Sequence, residues 1–139
     1  MYYLKTEHSF DAAHFLQGYE GKCRNLHGHR WRVVAELSGE ALAQERQTRG
    51  MLMDFSTVKS ALRALCDELD HSLIYEEGSL RPATVAALNE EQFRLVAVPF
   101  RPTAEEFSCW FFERLTAQGC AVRRVEVYET PTNAAAYEG

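Results

Sequence analysis

Apolar and polar positions in the first forty residues alternate with a period of two. Residues 2–10 and 30–38 are rich in aromatic and β-branched side chains, and Trp31, Val33, Ala35 and Leu37 alternate with Arg32, Val34, Glu36 and Ser38, the pattern of a strand with one buried face. Two long strands are predicted, joined as a hairpin through the polar, glycine-bearing stretch 17–22. Further along the period changes. Val58, Leu62, Leu65 and Leu69 fall at helical spacing behind a candidate N-cap at Asp54 or Ser56, which predicts an amphipathic helix over 57–69 with a short strand at 51–53 ahead of it. Gly78 and Pro82 interrupt the next stretch, where 83–88 reads as a short helix and 95–98 as a strand. Thr103 and Glu106 have capping-box spacing in front of the stripe Phe107, Trp110, Phe111 and Leu115, and Gly119 ends that second main helix. Residues 122–130 alternate again as a last strand. This order predicts an α+β domain, an antiparallel sheet with helices on one face.

The chain has 139 residues, which suits one domain over 1–139 and leaves no room for a second of ordinary size. Its 15 basic residues against 20 acidic ones make a formal charge of −5, which argues against a nucleic-acid partner bound through a broad cationic face. No stretch is apolar enough to span a membrane, and the first residues lack the pattern of a signal peptide, so no membrane partner and a cytoplasmic location are expected. The four cysteines are widely spaced and form no C-x-x-C pair, as thiols in a reducing compartment would be.

The segment Cys23-Arg24-Asn25-Leu26-His27-Gly28-His29 runs directly into the second predicted strand. In extended chain His27 and His29 share a face, with Gly28 relieving crowding between them, and a hairpin brings His14 at the end of the first strand beside them. Three imidazoles with an open fourth position describe a catalytic zinc site; a chance His-x-His on a polar strand face is the competing reading. Cys23 is either a fourth ligand closing a structural site or a nucleophile or base beside the metal. Lys22 and Arg24 flank it, and cationic neighbours favour the thiolate. The other three cysteines read as small buried hydrophobes. Asp70 and His71, at the end of the first helix, are candidates for an acid/base relay or simply a helix-end charge cluster. Glu129 shares the inward parity of Val125 and Val127, so it is either a carboxylate awaiting a ligand with paired N–H donors or a strand-end glutamate in solvent.

The ordered set Phe10-Asp11-Ala12-Ala13-His14, Cys23-x3-His27-Gly28-His29, Met53-Asp54-Phe55, Leu69-Asp70-His71, Pro102-Thr103-Ala104-Glu105 and Glu129-Thr130 resembles the 6-pyruvoyl- and 6-carboxy-tetrahydropterin synthase family over most of the chain. The resemblance implies the tunnelling fold, a four-stranded antiparallel sheet with two helices on one face, assembled as a homo-oligomeric barrel with sites at subunit interfaces. It implies Zn²⁺ on His14, His27 and His29, Cys23 as general base, and Asp70 with His71 as a relay reaching in from a neighbouring subunit. It also implies Glu129 as the anchor of a pterin ring, with Thr103 and Thr130 beside it; Glu105 matches too, though helix-start stabilisation explains it equally well. The substrate implied is 7,8-dihydroneopterin triphosphate. The product is 6-carboxy-5,6,7,8-tetrahydropterin, a precursor of 7-deazapurines such as queuosine, if the enzyme also releases acetaldehyde, and 6-pyruvoyl-tetrahydropterin if it stops at triphosphate elimination. The three residues between Cys23 and His27 are similar to the carboxy-type. A pterin-binding protein with structural zinc is the non-catalytic alternative. Two departures stand out: Tyr75 lies where the family usually has an Asn nearby, and the stretch 76–99 reads as an insertion.

Overall fold

The computed structural model describes residues 1–139. Strand β1 (Tyr2–His14) pairs antiparallel along its whole length with β2 (His27–Gly39), from Tyr2 opposite Gly39 to His14 opposite His27. Both strands run further toward the hairpin loop than alternation alone predicts, because each residue added to the ladder satisfies another pair of backbone groups. The helix α1 (Phe55–Leu69) follows, then β3 (Ser72–Glu76), the helix α2 (Pro82–Glu90), β4 (Leu95–Val98), the helix α3 (Ala104–Ala117), β5 (Val122–Thr130) and β6 (Asn133–Glu138).

The expected four-stranded antiparallel sheet with two helices is therefore too small a description. The sheet has six strands in the order β4-β3-β1-β2-β5-β6, and there are three α-helices. The additional strands β3 and β4 join the β1 edge in parallel, with Ala12 opposite Ser72 and Leu73 opposite Leu95. A parallel pair needs a crossover, and α2 supplies it. So the stretch 76–99 continues the sheet, and α2 itself buries no residue. On the far side β6 pairs with β5 through a turn in which Thr130 Oγ1 accepts the Asn133 N–H at 3.1 Å. The strand expected at 51–53 does not form, and Leu52 and Met53 pack against the core from irregular chain.

The core lies on one face of the sheet. Phe10, Trp31, Val33, Ala35, Val125 and Val127 point inward and meet Val58, Leu62, Leu65 and Leu69 of α1 and Phe107, Phe111 and Leu115 of α3. Burying a side chain of this size contributes roughly 1.5–3 kcal/mol. Asp54 caps α1 by accepting the Ser56 N–H at 2.8 Å, and Thr103 caps α3 by accepting the Glu106 N–H at 3.2 Å. Gly119, at φ 92°, takes the left-handed turn that ends α3. Trp31 stacks on Phe10 at 6.0 Å and meets Phe107 edge-on at 5.0 Å, and the other side of its indole faces the imidazole of His14 at 4.9 Å. The aromatic core thus ends where the histidines begin. Cys66 and Cys120 are buried as small hydrophobes, as expected, whereas Cys109 is only half-buried, with its thiol donating to Glu113 Oε1 at 3.7 Å, and all four cysteines are free thiols.

Candidate metal centre and acid/base dyad

The pleat carries His14 on the inward parity of Phe10 and Ala12, and His27 and His29 on that of Trp31. Their ligand atoms lie within 4.8 Å of one another. His14 Nε2 stands 3.1 Å from His27 Nε2. The outer nitrogens decide what occupies that gap. His14 Nδ1 is 2.7 Å from the Pro102 carbonyl and His27 Nδ1 is 2.6 Å from the Asn25 carbonyl; a carbonyl only accepts, so both Nδ1 atoms carry the proton. In the neutral rings both Nε2 atoms then present bare lone pairs to each other. His29 Nε2 is buried with no hydrogen-bond partner at all. Converging lone pairs repel unless a cation lies among them, so the donor set fits a metal ion, with the two backbone carbonyls fixing the tautomers that ligation needs.

Burial also favours the neutral, ligating form of His14 and His29. His14 is only 1 % exposed, and its pKa is lowered from 6.5 to about 4, chiefly by burial, with the two neighbouring histidines adding to the effect and the Pro102 carbonyl opposing it. His29 is lowered by burial as well, against the pull of Glu129.

Glu129 lies on the inward side of β5, 31 % exposed, with Oε1 3.4 Å from His14 Nε2 and 3.6 Å from His29 Nε2. The solvent reading of this residue is not what the structure holds. Cys23 occupies a single 3-10 turn (Lys22–Arg24), half-buried, and the loop is closed where the Leu16 N–H donates to the Cys23 carbonyl at 2.9 Å. Its sulfur is not among the converging donor atoms, which are those of the three histidines alone. Gly28 does not relieve crowding as expected: a Cβ there would meet the Ala12 carbonyl oxygen at 3.6 Å and Ala13 Cα at 3.9 Å, both ordinary contacts. The hydroxyls of Thr103 and Thr130 are occupied in the α3 cap and the β5–β6 turn, and Glu105 sits exposed in the first turn of α3.

Asp70 and His71 do meet. Asp70 Oδ2 accepts from His71 Nδ1 at 2.9 Å and Oδ1 from the Asp11 N–H at 2.9 Å. The Asp11 N–H is the main reason the carboxyl lies below the usual range, with His71 reinforcing it. His71 adopts the left-handed conformation (φ 54°) that usually goes to glycine, and its own N–H donates to the Asp11 carbonyl at 2.6 Å. Arg94 reaches back from the start of β4 to donate to the carbonyls of Asp67, Glu68 and Asp70 at 2.6–3.0 Å, capping the end of α1. These backbone partners and Arg94 were not legible as site residues; only the fold brings them there.

The dyad and most of the histidine cluster lie on opposite parities of the sheet, with His29 alone of the three reaching the wall of the cavity that His71 borders. His71 is 78 % exposed and borders a cavity of about 650 Å³ with Asp11, Ala13, Gly28 and Arg30, of the outward parity of β1 and β2, and with Ala12 and His29 of the inward parity. His14, His27 and His29 belong to the inward parity.

Comparison with known proteins agrees with these features. The sequence model of the family described as 6-pyruvoyl tetrahydropterin synthase matches residues 3–139. A Haemophilus influenzae protein named 6-carboxy-5,6,7,8-tetrahydropterin synthase is 36% identical over 141 aligned positions, covering 99% of both chains, and a Synechocystis protein of the same name is 34% identical over 99% of this chain and 93% of its own. Among solved structures, an uncharacterized protein of Wolinella succinogenes superposes with a TM-score of 0.83 at 24% identity, over 99% of this chain and 98% of that one. A Plasmodium vivax 6-pyruvoyltetrahydropterin synthase superposes at 0.71 and 22%, over 99% and 97%. At those identities the structural likeness speaks for the fold.

Proposed function

The chain belongs to the 6-pyruvoyl tetrahydropterin synthase family, and on that premise we propose that it converts 7,8-dihydroneopterin triphosphate and water to 6-carboxy-5,6,7,8-tetrahydropterin, acetaldehyde and triphosphate, a zinc-dependent lyase step toward 7-deazapurines such as queuosine. The observation that carries the carboxy-type reading is the end-to-end similarity to relatives of that name at 36% and 34% identity. The three-residue spacing from Cys23 to His27 is in keeping with it.

The donor set of three imidazole nitrogens suits zinc, on His14, His27 and His29. When bound, zinc supplies positive charge that acidifies the side-chain hydroxyls of the substrate and stabilises the negative charge developing there. Glu129 orients the substrate: a carboxylate accepts two parallel N–H bonds from the guanidine-like edge of a pterin, and the backbone around Thr103 and Thr130 borders the ring. Cys23, as thiolate, takes the proton from the carbon side chain. His71, oriented by its hydrogen bond to Asp70, delivers a proton to the substrate.

Because His71 opens on the outward face of its own sheet, the relay is assigned to a neighbouring chain's metal site. Two strand edges support such an assembly. Beyond its pairing with β3 at Ala12 and Ala13, the outer edge of β1 is open, and so is that of β6. The strands β1, β2, β5 and β6 alternate in direction, so β6 of one copy beside β1 of the next continues an antiparallel barrel of several subunits.

Incubation of the purified, zinc-loaded protein with 7,8-dihydroneopterin triphosphate is expected to yield acetaldehyde and the carboxypterin in equal amounts. Triphosphate release without acetaldehyde would assign the 6-pyruvoyl activity instead. Cys23→Ala is expected to abolish turnover and keep one zinc per chain; loss of both zinc and stability in that variant would favour the structural-zinc alternative.

A further inference from the structure

The chain between His14 and His27 carries Cys23 and has little of its own to hold it in place. From Gln17 to Leu26 every residue is exposed except Cys23, which is half-buried. Four backbone bonds give this loop its shape: the N–H groups of Leu16, Tyr19, Arg24 and Asn25 donate to the carbonyls of Cys23, Leu16, Gly21 and Lys22. The Tyr19 ring packs down on Gly21, where a Cβ would come within 2.7 Å of the ring edge. All of these contacts are internal to the loop. They fix its form but not its place, and a segment that buries so few side chains shifts at little cost.

One hydrogen bond reaches the loop from outside the β1–β2 hairpin. Arg101 donates to the Gln17 carbonyl at 3.0 Å, and its guanidinium lies 5.8 Å from the centre of the Tyr19 ring, within cation–π range. The backbone of Arg101 is fixed on both sides. Phe100 meets the core ring of Phe107 edge-on at 5.9 Å, Pro102 is buried with its carbonyl 2.7 Å from His14 Nδ1, and Thr103 caps α3. The segment that orients a metal ligand thus also carries the side chain that holds the loop.

Arg101 is kept at a cost to the fold. Its Nε is buried with no hydrogen-bond partner, and its one hydrogen bond is the bond to Gln17. An unpaired donor in a charged group works against stability, so packing does not account for this side chain, whereas the tie to the loop does.

We propose that Arg101 is a positioning residue that ties the Cys23 loop to the segment orienting His14, and so fixes the place of the thiol relative to the histidine cluster. The loop is joined to the cluster at His14 and His27 in any case; Arg101 adds a third point of attachment between them, at Gln17. The inference rests on the proposed function for the part that Cys23 plays in turnover, and on the geometry alone for the holding of the loop.

The test measures how fast iodoacetamide alkylates Cys23 in the protein as purified, resolved by mass spectrometry, with Cys109 as a half-buried thiol elsewhere in the same chain. Arg101→Met is expected to raise the Cys23 rate about tenfold and to leave the Cys109 rate within about twofold, because only the loop is released. Arg101→Lys keeps a donor for the single Gln17 carbonyl and is expected to restore the slow rate. Tyr19→Leu removes an exposed ring and is expected to raise the Cys23 rate about threefold, which keeps the proposal open to test should Arg101→Met fail to fold. Unchanged Cys23 rates in these variants, or an equal rise at Cys23 and Cys109, overturn the tie. With 7,8-dihydroneopterin triphosphate as substrate, Arg101→Met is expected to lower kcat about tenfold with KM within about twofold, and Arg101→Lys to restore it. A released loop with unchanged kcat overturns the positioning role. If the parent protein does not turn that compound over, the proposed function fails, and the alkylation rates still decide whether Arg101 holds the loop.

Discussion

Two histidine sites in this chain are built on opposite principles. The His14–His27–His29 cluster lies at the end of the aromatic core, with His14 almost wholly buried, its tautomer fixed by a backbone carbonyl and its lone pair aimed at its neighbours. The Asp70–His71 dyad is held just as firmly through Asp11 and Arg94, yet it presents its imidazole to solvent on the outward face. Burial suits a ligand that must remain neutral, while exposure suits a group that must gain and lose a proton. The first site is complete in one chain. The second has its positioning within the chain and, on the proposed function, its target in a neighbouring one.

The largest effect that separates them is on metal. His27→Ala is expected to lower metal content from one ion per chain to near zero and to abolish turnover, because it removes one of three donors; full occupancy by elemental analysis would show that the cluster is not the metal centre. His71→Ala is expected to leave metal content and melting temperature unchanged while lowering kcat by about 10²–10⁴-fold, the usual contribution of general acid/base catalysis. Mixed oligomers of Cys23→Ala and His71→Ala chains sharpen the comparison further. Regained activity supports a site shared between chains, and none regained would place both groups in the same one.

The smallest effect is on stability against pH. In metal-free protein, the folded-state pKa of His14 is about 4 against 6.5 for the free side chain, so between those values the unfolded chain binds more protons. Stability is therefore fully present above 6.5 and falls by about 3 kcal/mol as pH drops to about 4, at 1.36 kcal/mol per pH unit. Denaturant titrations of chelator-treated protein at several pH values measure this, and a flat profile would contradict the buried, neutral His14. The dyad acts lower: Asp70, held below its ordinary value, contributes stability above about pH 3.9 that is lost as pH falls through its folded-state pKa.

Much of the fold was legible because its signals are local and periodic. Trp31, Val33, Ala35 and Leu37 announced the buried face of β2 by alternation, and the same parity carried His27 and His29 inward. The N-caps Asp54 and Thr103 stood out by residue type and spacing. What was missed had weak local signals. The strand β6, with its run Ala134, Ala135 and Ala136, carries little β propensity and forms because β5 offers it an edge. The strand β3 is five residues long and takes its place from the end of β1, while 51–53, read as a strand, remains irregular chain packed on the core.

By itself the sequence determined which side chains exist, their parity on each strand and their position on each helix, since a period of 2 or 3.6 is a property of the backbone alone. It therefore specified that three histidines and a glutamate point inward and that Asp70 and His71 follow a helix. The tertiary structure decided what those groups meet: that Pro102 and Asn25 orient two imidazoles, that Asp11 and Arg94 hold the dyad, that the chain after residue 70 extends the sheet, and that His71 opens on a cavity whose wall includes His29. These are contacts between residues up to 88 positions apart. Closing such loops costs entropy that only the whole packed core offsets, so no local pattern encodes them.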